Sequence, residues 1–190
     1  MKKNLPKNTK LKIKPHKHVT MKKIVLAFAV LFTMAACSKQ EKFASADEMV
    51  EKALQEVKLI TSEELEALMN GEEIYTLIDV RQPEEHYPGF IPGSINIPRG
   101  SLEFNIADSA FWDNVGLYMP LPEEKIIVYD QKGKRGILAA KTLQMLRYSN
   151  IYALKDGYKK WELTFPDIYE KNLEKMNGGG HEAPKSGGGC

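Results

Sequence analysis

The chain has 190 residues, 43% of them apolar, enough for one packed domain with extensions. Its net charge of +2 hides an uneven spread, because residues 1–36 hold nine of the 27 basic residues, all Lys, and no acid. The remainder carries 18 basic against 25 acidic residues, a net of −7. That balance argues against wrapping nucleic acid, which calls for a basic face.

In chain order, the first feature is a targeting pattern. Lys22-Lys23 precede the apolar run Ile24 to Ala36, whose 13 residues suit the h-region of a secretory signal. A bilayer-spanning helix needs about 20. The run ends in Met34-Ala35-Ala36-Cys37, which resembles a bacterial lipobox with Met in place of the usual Leu. Cys37 is therefore expected to carry lipid and to anchor an exported chain to a membrane, facing the periplasm or the cell exterior. The alternative is an ordinary secretory signal followed by an incidental Cys. Residues 1–20 form a long basic n-region or reflect a start set too early, and Met21 is the favoured beginning. With Cys37 lipidated, Cys190 is the sole thiol, so stability must come from core packing rather than from disulfides.

After a polar tether over residues 38–45, Asp47 to Val57 has helical spacing, with Met49, Val50, Ala53, Leu54 and Val57 on one face. Thr61-Ser62-Glu63-Glu64 makes a capping box that opens a second helix, which runs to about Met69 and stops at Asn70-Gly71. Tyr75 to Val80 reads as a buried strand, Pro83 starts a short helical segment, and Ile95-Asn96-Ile97 is another short strand. The stretch Ser101 to Pro122 reads as a long connection with one helix near residues 108–115, packed through Phe104, Phe111, Trp112 and Leu117. Lys125 to Tyr129 is a strand, Arg135 to Leu146 a helix and Ile151 to Leu154 a strand, and Tyr158 to Glu162 begins a helix. Strands alternating with helices predict a parallel sheet flanked by helices. The ligand site of such a fold lies at the carboxyl ends of the strands, which singles out the loops after Val80 and Tyr129.

The second of these loops, Asp130-Gln131-Lys132-Gly133-Lys134-Arg135, joins a strand to a helix N-terminus through a glycine. Backbone N–H groups and the helix dipole converge there into an anion cradle, and three cations stand around it. On the residues alone, a solvated βα turn is an equal reading.

A larger pattern resembles the rhodanese-like domain family. Leu77-Ile78-Asp79-Val80-Arg81, Pro83-Glu84-Glu85 and Gly89 to Pro98 match its first signature. The strand Ile126 to Tyr129, the six-residue loop, Arg135, Ala139-Ala140 and Tyr152 to Trp161 match its second. Arg99 to Phe104 is similar to a segment of the thiosulfate sulfurtransferase branch. Together these cover roughly residues 46–165. The resemblance implies an α/β fold, a three-layer α/β/α arrangement on a central, mostly parallel sheet of about five strands, with no cofactor and no metal. It marks Asp79, Arg81 and Arg99 as pocket or structural positions.

Active members place a cysteine first in the loop. Its thiolate takes a sulfane sulfur from a donor such as thiosulfate, and a basic residue at the loop end helps bind that donor. In this chain the cysteine position is Asp130, while Arg135 keeps the loop-end arginine, with Gln131, Lys132, Gly133 and Lys134 between them. A carboxylate suits the cradle as a built-in anion but cannot form a persulfide. Phe90 stands where the family usually has His. The expectation is loss of the usual mechanism.

Residues 177–190 form a Gly-rich tail ending in Cys190, with a root-mean-square reach of roughly 20 Å. Cys190 is a candidate sulfur-bearing thiol in place of the missing loop cysteine; alternatively it is incidental, or links two chains into a dimer. His181 and Glu182 near it lack metal-ligand spacing. The expected organisation is a signal region over 1–36, the lipidated Cys37 and tether over 37–45, the domain with a helical extension over 46–176, and the tail. Three functions follow in order of preference: a non-catalytic or sulfur-relay accessory module that binds an unknown protein, donor or acceptor; a sulfurtransferase acting through Cys190; and a structural dimer.

Overall fold

The computed structural model describes residues 42–177. The expectations for the signal segment, Cys37, the Gly-rich tail and Cys190 lie outside the described residues.

Thirteen elements follow one another among the described residues. They are α1 (Ala46–Ala53), β1 (Lys58–Ile60), α2 (Ser62–Met69), β2 (Tyr75–Asp79), α3 (Pro83–His86), β3 (Ile95–Asn96), α4 (Leu102–Asn105), α5 (Ser109–Asn114), β4 (Lys125–Tyr129), α6 (Lys134–Met145), β5 (Ile151–Leu154), α7 (Gly157–Thr164) and α8 (Leu173–Asn177). The strands form one all-parallel sheet in the order β1-β5-β4-β2-β3. Its centre is the β2–β4 pair, in a register that sets Asp79 beside Tyr129.

Alternation within the central strands supplies two cores. Ile78, Val80, Ile126 and Val128 face α1, α4, α5 and α6 with Val50, Ile106, Trp112 and Leu143. Leu77, Ile127 and Tyr129 face α2 and α7 with Leu65, Tyr158 and Trp161. Burial on both faces is why these strands read as continuous apolar runs. The result is the three-layer arrangement, and the parallel direction brings the ends of β2, β4 and β5 to one edge.

Three expectations need correction. The first helix ends at Ala53, not Val57, because the chain turns at Leu54 and enters β1. That strand was not anticipated. It has three residues, only Ile60 of them buried, too little for a period to register. The long connection holds two short helices, α4 and α5, rather than one. Trp112 is buried there as expected, but Phe104 and Leu117 are exposed, at 78% and 49%.

Candidate functional site

Asp130 directly follows β4, and the chain must turn there within three residues to start α6. Gly133 makes that turn with φ of +93°, a left-handed conformation that other residues rarely adopt. Gly157, at the start of α7, presses on the loop from β5. A Cβ at that position would stand 2.3 Å from the Asp130 carbonyl oxygen and 2.7 Å from the Gly133 nitrogen. The N–H groups of Tyr158 and Lys159 then donate to the carbonyls of Asp130 and Gln131, at 2.7 and 3.1 Å. The loop is thus clamped by its neighbouring strand–helix turn.

Inside this clamp Asp130 is 2% exposed. Its Oδ1 accepts from the Gly136 N–H at 3.0 Å and its Oδ2 from the Lys132 N–H at 3.2 Å. The Arg135 Nε stands 3.5 Å from Oδ2. The cradle is therefore present, and its occupant is the chain's own carboxylate. The N–H groups of Gly133, Lys134 and Arg135 meet no acceptor among the described residues, so further donors remain around it.

Arg135 does more than approach Asp130. Its guanidinium donates to both oxygens of Glu85, at 2.8 and 2.7 Å, so most of its charge is balanced from α3. That hydrogen bond, the stronger influence, and the attraction between the two charges raise the Arg135 pKa and hold the Glu85 carboxyl below its usual range.

A second buried cluster stands at the end of β2. The Asp79 carboxylate accepts from Arg81 Nε at 3.0 Å, Arg81 Nη2 at 2.7 Å and the Arg81 N–H at 2.9 Å, and His86 Nδ1 lies 2.8 Å from its Oδ2. Burial alone would push the Asp79 carboxyl up, but the His86 hydrogen bond and the Arg81 guanidinium outweigh it and hold the group below its ordinary value. The same arginine donates to Gln131 Oε1 at 3.0 Å and to the Gly89 carbonyl at 2.8 Å, and lies over the Tyr158 ring at 4.1 Å. Arg81 therefore ties the cluster to the loop. Burial also raises the Tyr129 phenol well above its ordinary range, and its oxygen lies 2.8 Å from Ser94 Oγ.

Of the residues singled out in the sequence, Asp130, Gln131, Lys132, Gly133, Arg135, Asp79 and Arg81 come together. Lys134 does not turn toward the cradle, because its ammonium pairs with Asp47 of α1 at 2.6 Å. Arg99 is separate as well: it bonds Glu103 at 2.6 Å and Thr142, two turns along α6, at 2.8 Å. Phe90 stacks on His86 with ring centroids 4.2 Å apart, and its backbone pairs with Glu170. Sequence reasoning missed Glu85, His86 and Gly157 as site residues. All three lie in or beside the matched motifs; Glu85 and Gly157 meet partners distant in sequence, whereas His86 meets Asp79 seven residues away, across the turn after β2.

A model of the rhodanese-like domain matches residues 61–164, more than half of the chain. The chain belongs to the rhodanese-like domain family. Within that family it is 36% identical over 106 residues to a rhodanese domain-containing protein of Drosophila melanogaster, covering 54% of this chain and 95% of that one. It is 34% identical over 88 residues to a human thiosulfate:glutathione sulfurtransferase, covering 45% of this chain and 76% of that protein. The matched region of a Schizosaccharomyces pombe mitochondrial relative is 66% of its length. Among solved structures, a human single-domain sulfurtransferase superposes with a TM-score of 0.51 at 30% identity, over 55% of this chain and 95% of that one. This is accordingly a rhodanese-like domain with sulfurtransferase relatives, in which Asp130 stands at the loop's first position.

Proposed function

We propose that this rhodanese-like protein is a non-catalytic binding or sulfur-relay accessory module, exported and held at a bacterial membrane by lipid on Cys37. The observation that carries the first part is the Asp130 carboxylate seated in the loop cradle on the Lys132 and Gly136 N–H groups. A persulfide needs a sulfur atom on the protein, and Asp130 offers two oxygens. A buried negative charge also opposes a dianionic donor such as thiosulfate, and Arg135, shared with Glu85, has little charge left to offset it. What remains is a rigid, clamped loop that can present its rim to a partner protein, a sulfur donor or an acceptor. The anchor is supported by the h-region, the small residues before Cys37 and the polar tether.

The test is thiosulfate:cyanide sulfurtransferase activity of the purified chain, with and without Cys190→Ala. The expected result is no turnover in either. Activity that disappears with Cys190 would transfer the chemistry to that thiol; activity that survives its loss would overturn the reading of Asp130. Fatty-acid labelling that vanishes in Cys37→Ala checks the anchor separately.

A further inference from the structure

The helix α1 enters the domain beside the receptacle. It packs on α6 and runs the same way, because Asp47 in its first turn pairs with Lys134 at the start of α6, at 2.6 Å. Glu56, just beyond the end of α1, meets Lys141 farther along α6, and its carbonyl accepts from Gln144 Nε2 at 3.3 Å. Val50 and Ala53 between those two contacts are buried, which holds the helix in this direction. The first residue of α1, Ala46, therefore lies at the edge of the sheet that carries Asp130. It is nine residues from Cys37, and nine residues span no more than about 30 Å when fully extended. Lipid on Cys37 would keep this edge near a bilayer.

The same edge carries α8, and a run of contacts crosses it from α1. Lys134 pairs with Asp47, the adjoining Arg135 with Glu85 of α3, and the Tyr87 carbonyl after α3 accepts from the Asn172 N–H at 3.0 Å. Asn172 directly precedes α8. On α8, Leu173 and Met176 share a face one turn apart, and they are 60% and 45% exposed. Tyr169 upstream is also exposed, with the Lys171 ammonium over its ring at 5.1 Å. Apolar side chains exposed beside a tyrosine and lysines suit the headgroup layer of a membrane, where one end of each side chain stays wet. Lys171 and Lys175 are matched in number by Glu170 and Glu174, so such a contact does not call for anionic lipid.

We propose that the edge bearing the Asp130 loop and α8 faces the bilayer, with Tyr169, Leu173 and Met176 among the lipid headgroups. The orientation rests on lipid at Cys37 and is independent of the reading of Asp130. The receptacle then opens toward the membrane surface, while the opposite edge, where Glu123 precedes β4, points away.

The full-length chain, purified from a bacterium that processes lipoproteins and checked by mass spectrometry for lipid on Cys37, is reconstituted in phosphatidylcholine vesicles. With Cys190→Ala in place, a fluorophore is attached through Glu84→Cys on α3, Glu174→Cys on α8 or Glu123→Cys. Its quenching by lipid spin-labelled in the headgroup is then measured. The length of β4 sets Glu123 roughly 16 Å farther from the bilayer, so quenching at Glu84 and Glu174 should exceed that at Glu123 about threefold or more. Leu173→Ser/Met176→Ser should lower quenching at Glu174 by about half or more, as expected of an apolar contact. Equal quenching at the three positions, or the strongest at Glu123, would overturn the orientation while the anchor stands. Quenching at Glu174 indifferent to Leu173→Ser/Met176→Ser would overturn the contact through α8. A chain without lipid on Cys37 would overturn the anchor and the orientation together.

Discussion

Asp79 and Asp130 occupy matching places on neighbouring strands, one the last residue of β2 and the other the first after β4. Both are buried, at 0% and 2% exposure. They differ in what holds them. Asp79 is gripped by side chains, the Arg81 guanidinium and His86, and Arg81 in turn reaches Gln131 and Gly89. Asp130 is held chiefly by the main chain, through the Lys132 and Gly136 N–H groups. A side-chain cluster of this kind is specific to its members, and removing one leaves a buried charge behind. A main-chain cradle is indifferent to what supplies the anion, provided the loop keeps its shape. The first is a structural joint, and the second is a receptacle.

The largest expected effect falls on the joint. Asp79→Asn leaves the Arg81 guanidinium, 1% exposed, without its counter-charge, and should cost about 3–5 kcal/mol in urea unfolding. The sign of the pH dependence follows from the lowered Asp79 pKa. Its stabilisation is complete above the unfolded aspartate value, about 3.9, and is lost as pH falls through the lower folded value. The urea midpoint of the native chain should therefore fall as pH drops below about 4, and it should depend less on pH there in Asp79→Asn.

Gly157→Ala comes next. At φ of +63° the new side chain is strained by about 1–2 kcal/mol, and its Cβ would overlap the Asp130 carbonyl and the Gly133 nitrogen, adding roughly 1–3 kcal/mol. The loop should loosen, which amide exchange at Lys132 and Gly136 would register. Asp130→Asn tests the receptacle itself. Its amide can accept from one of the two N–H donors but turns an NH₂ toward the other, for a loss of roughly 1–3 kcal/mol. A loss as large as that of Asp79→Asn would erase the distinction between the two sites.

The smallest effect belongs to Glu85→Gln. Its ion pair with Arg135 is more than a third exposed on both sides, so thermal stability should change by less than about 1 kcal/mol.

The central strands and the loop were legible in the sequence because β2 and β4 are buried on both faces and so leave unbroken apolar runs. The loop was legible too, since its glycine lies only three residues after Asp130 in the chain. What stayed hidden depends on folding back from afar. Arg135 meets Glu85 and Lys134 meets Asp47 across 50 and 87 residues, and no local pattern announces either pair. Those two bonds change the electrostatics of the loop, because two of its three cations are already committed. The exposure of Phe104 and Leu117 was hidden for another reason: an apolar residue in an irregular connection carries no period that would reveal which way it faces.

The most direct test of the receptacle is thiosulfate:cyanide sulfurtransferase activity of Asp130→Cys, beside the native Asp130 chain, with both carrying Cys190→Ala. A cradle that is intact and blocked only by its own carboxylate predicts turnover in the Asp130→Cys protein and none in its companion. A folded Asp130→Cys protein without turnover, or a companion that turns over with no cysteine in the loop, would contradict it.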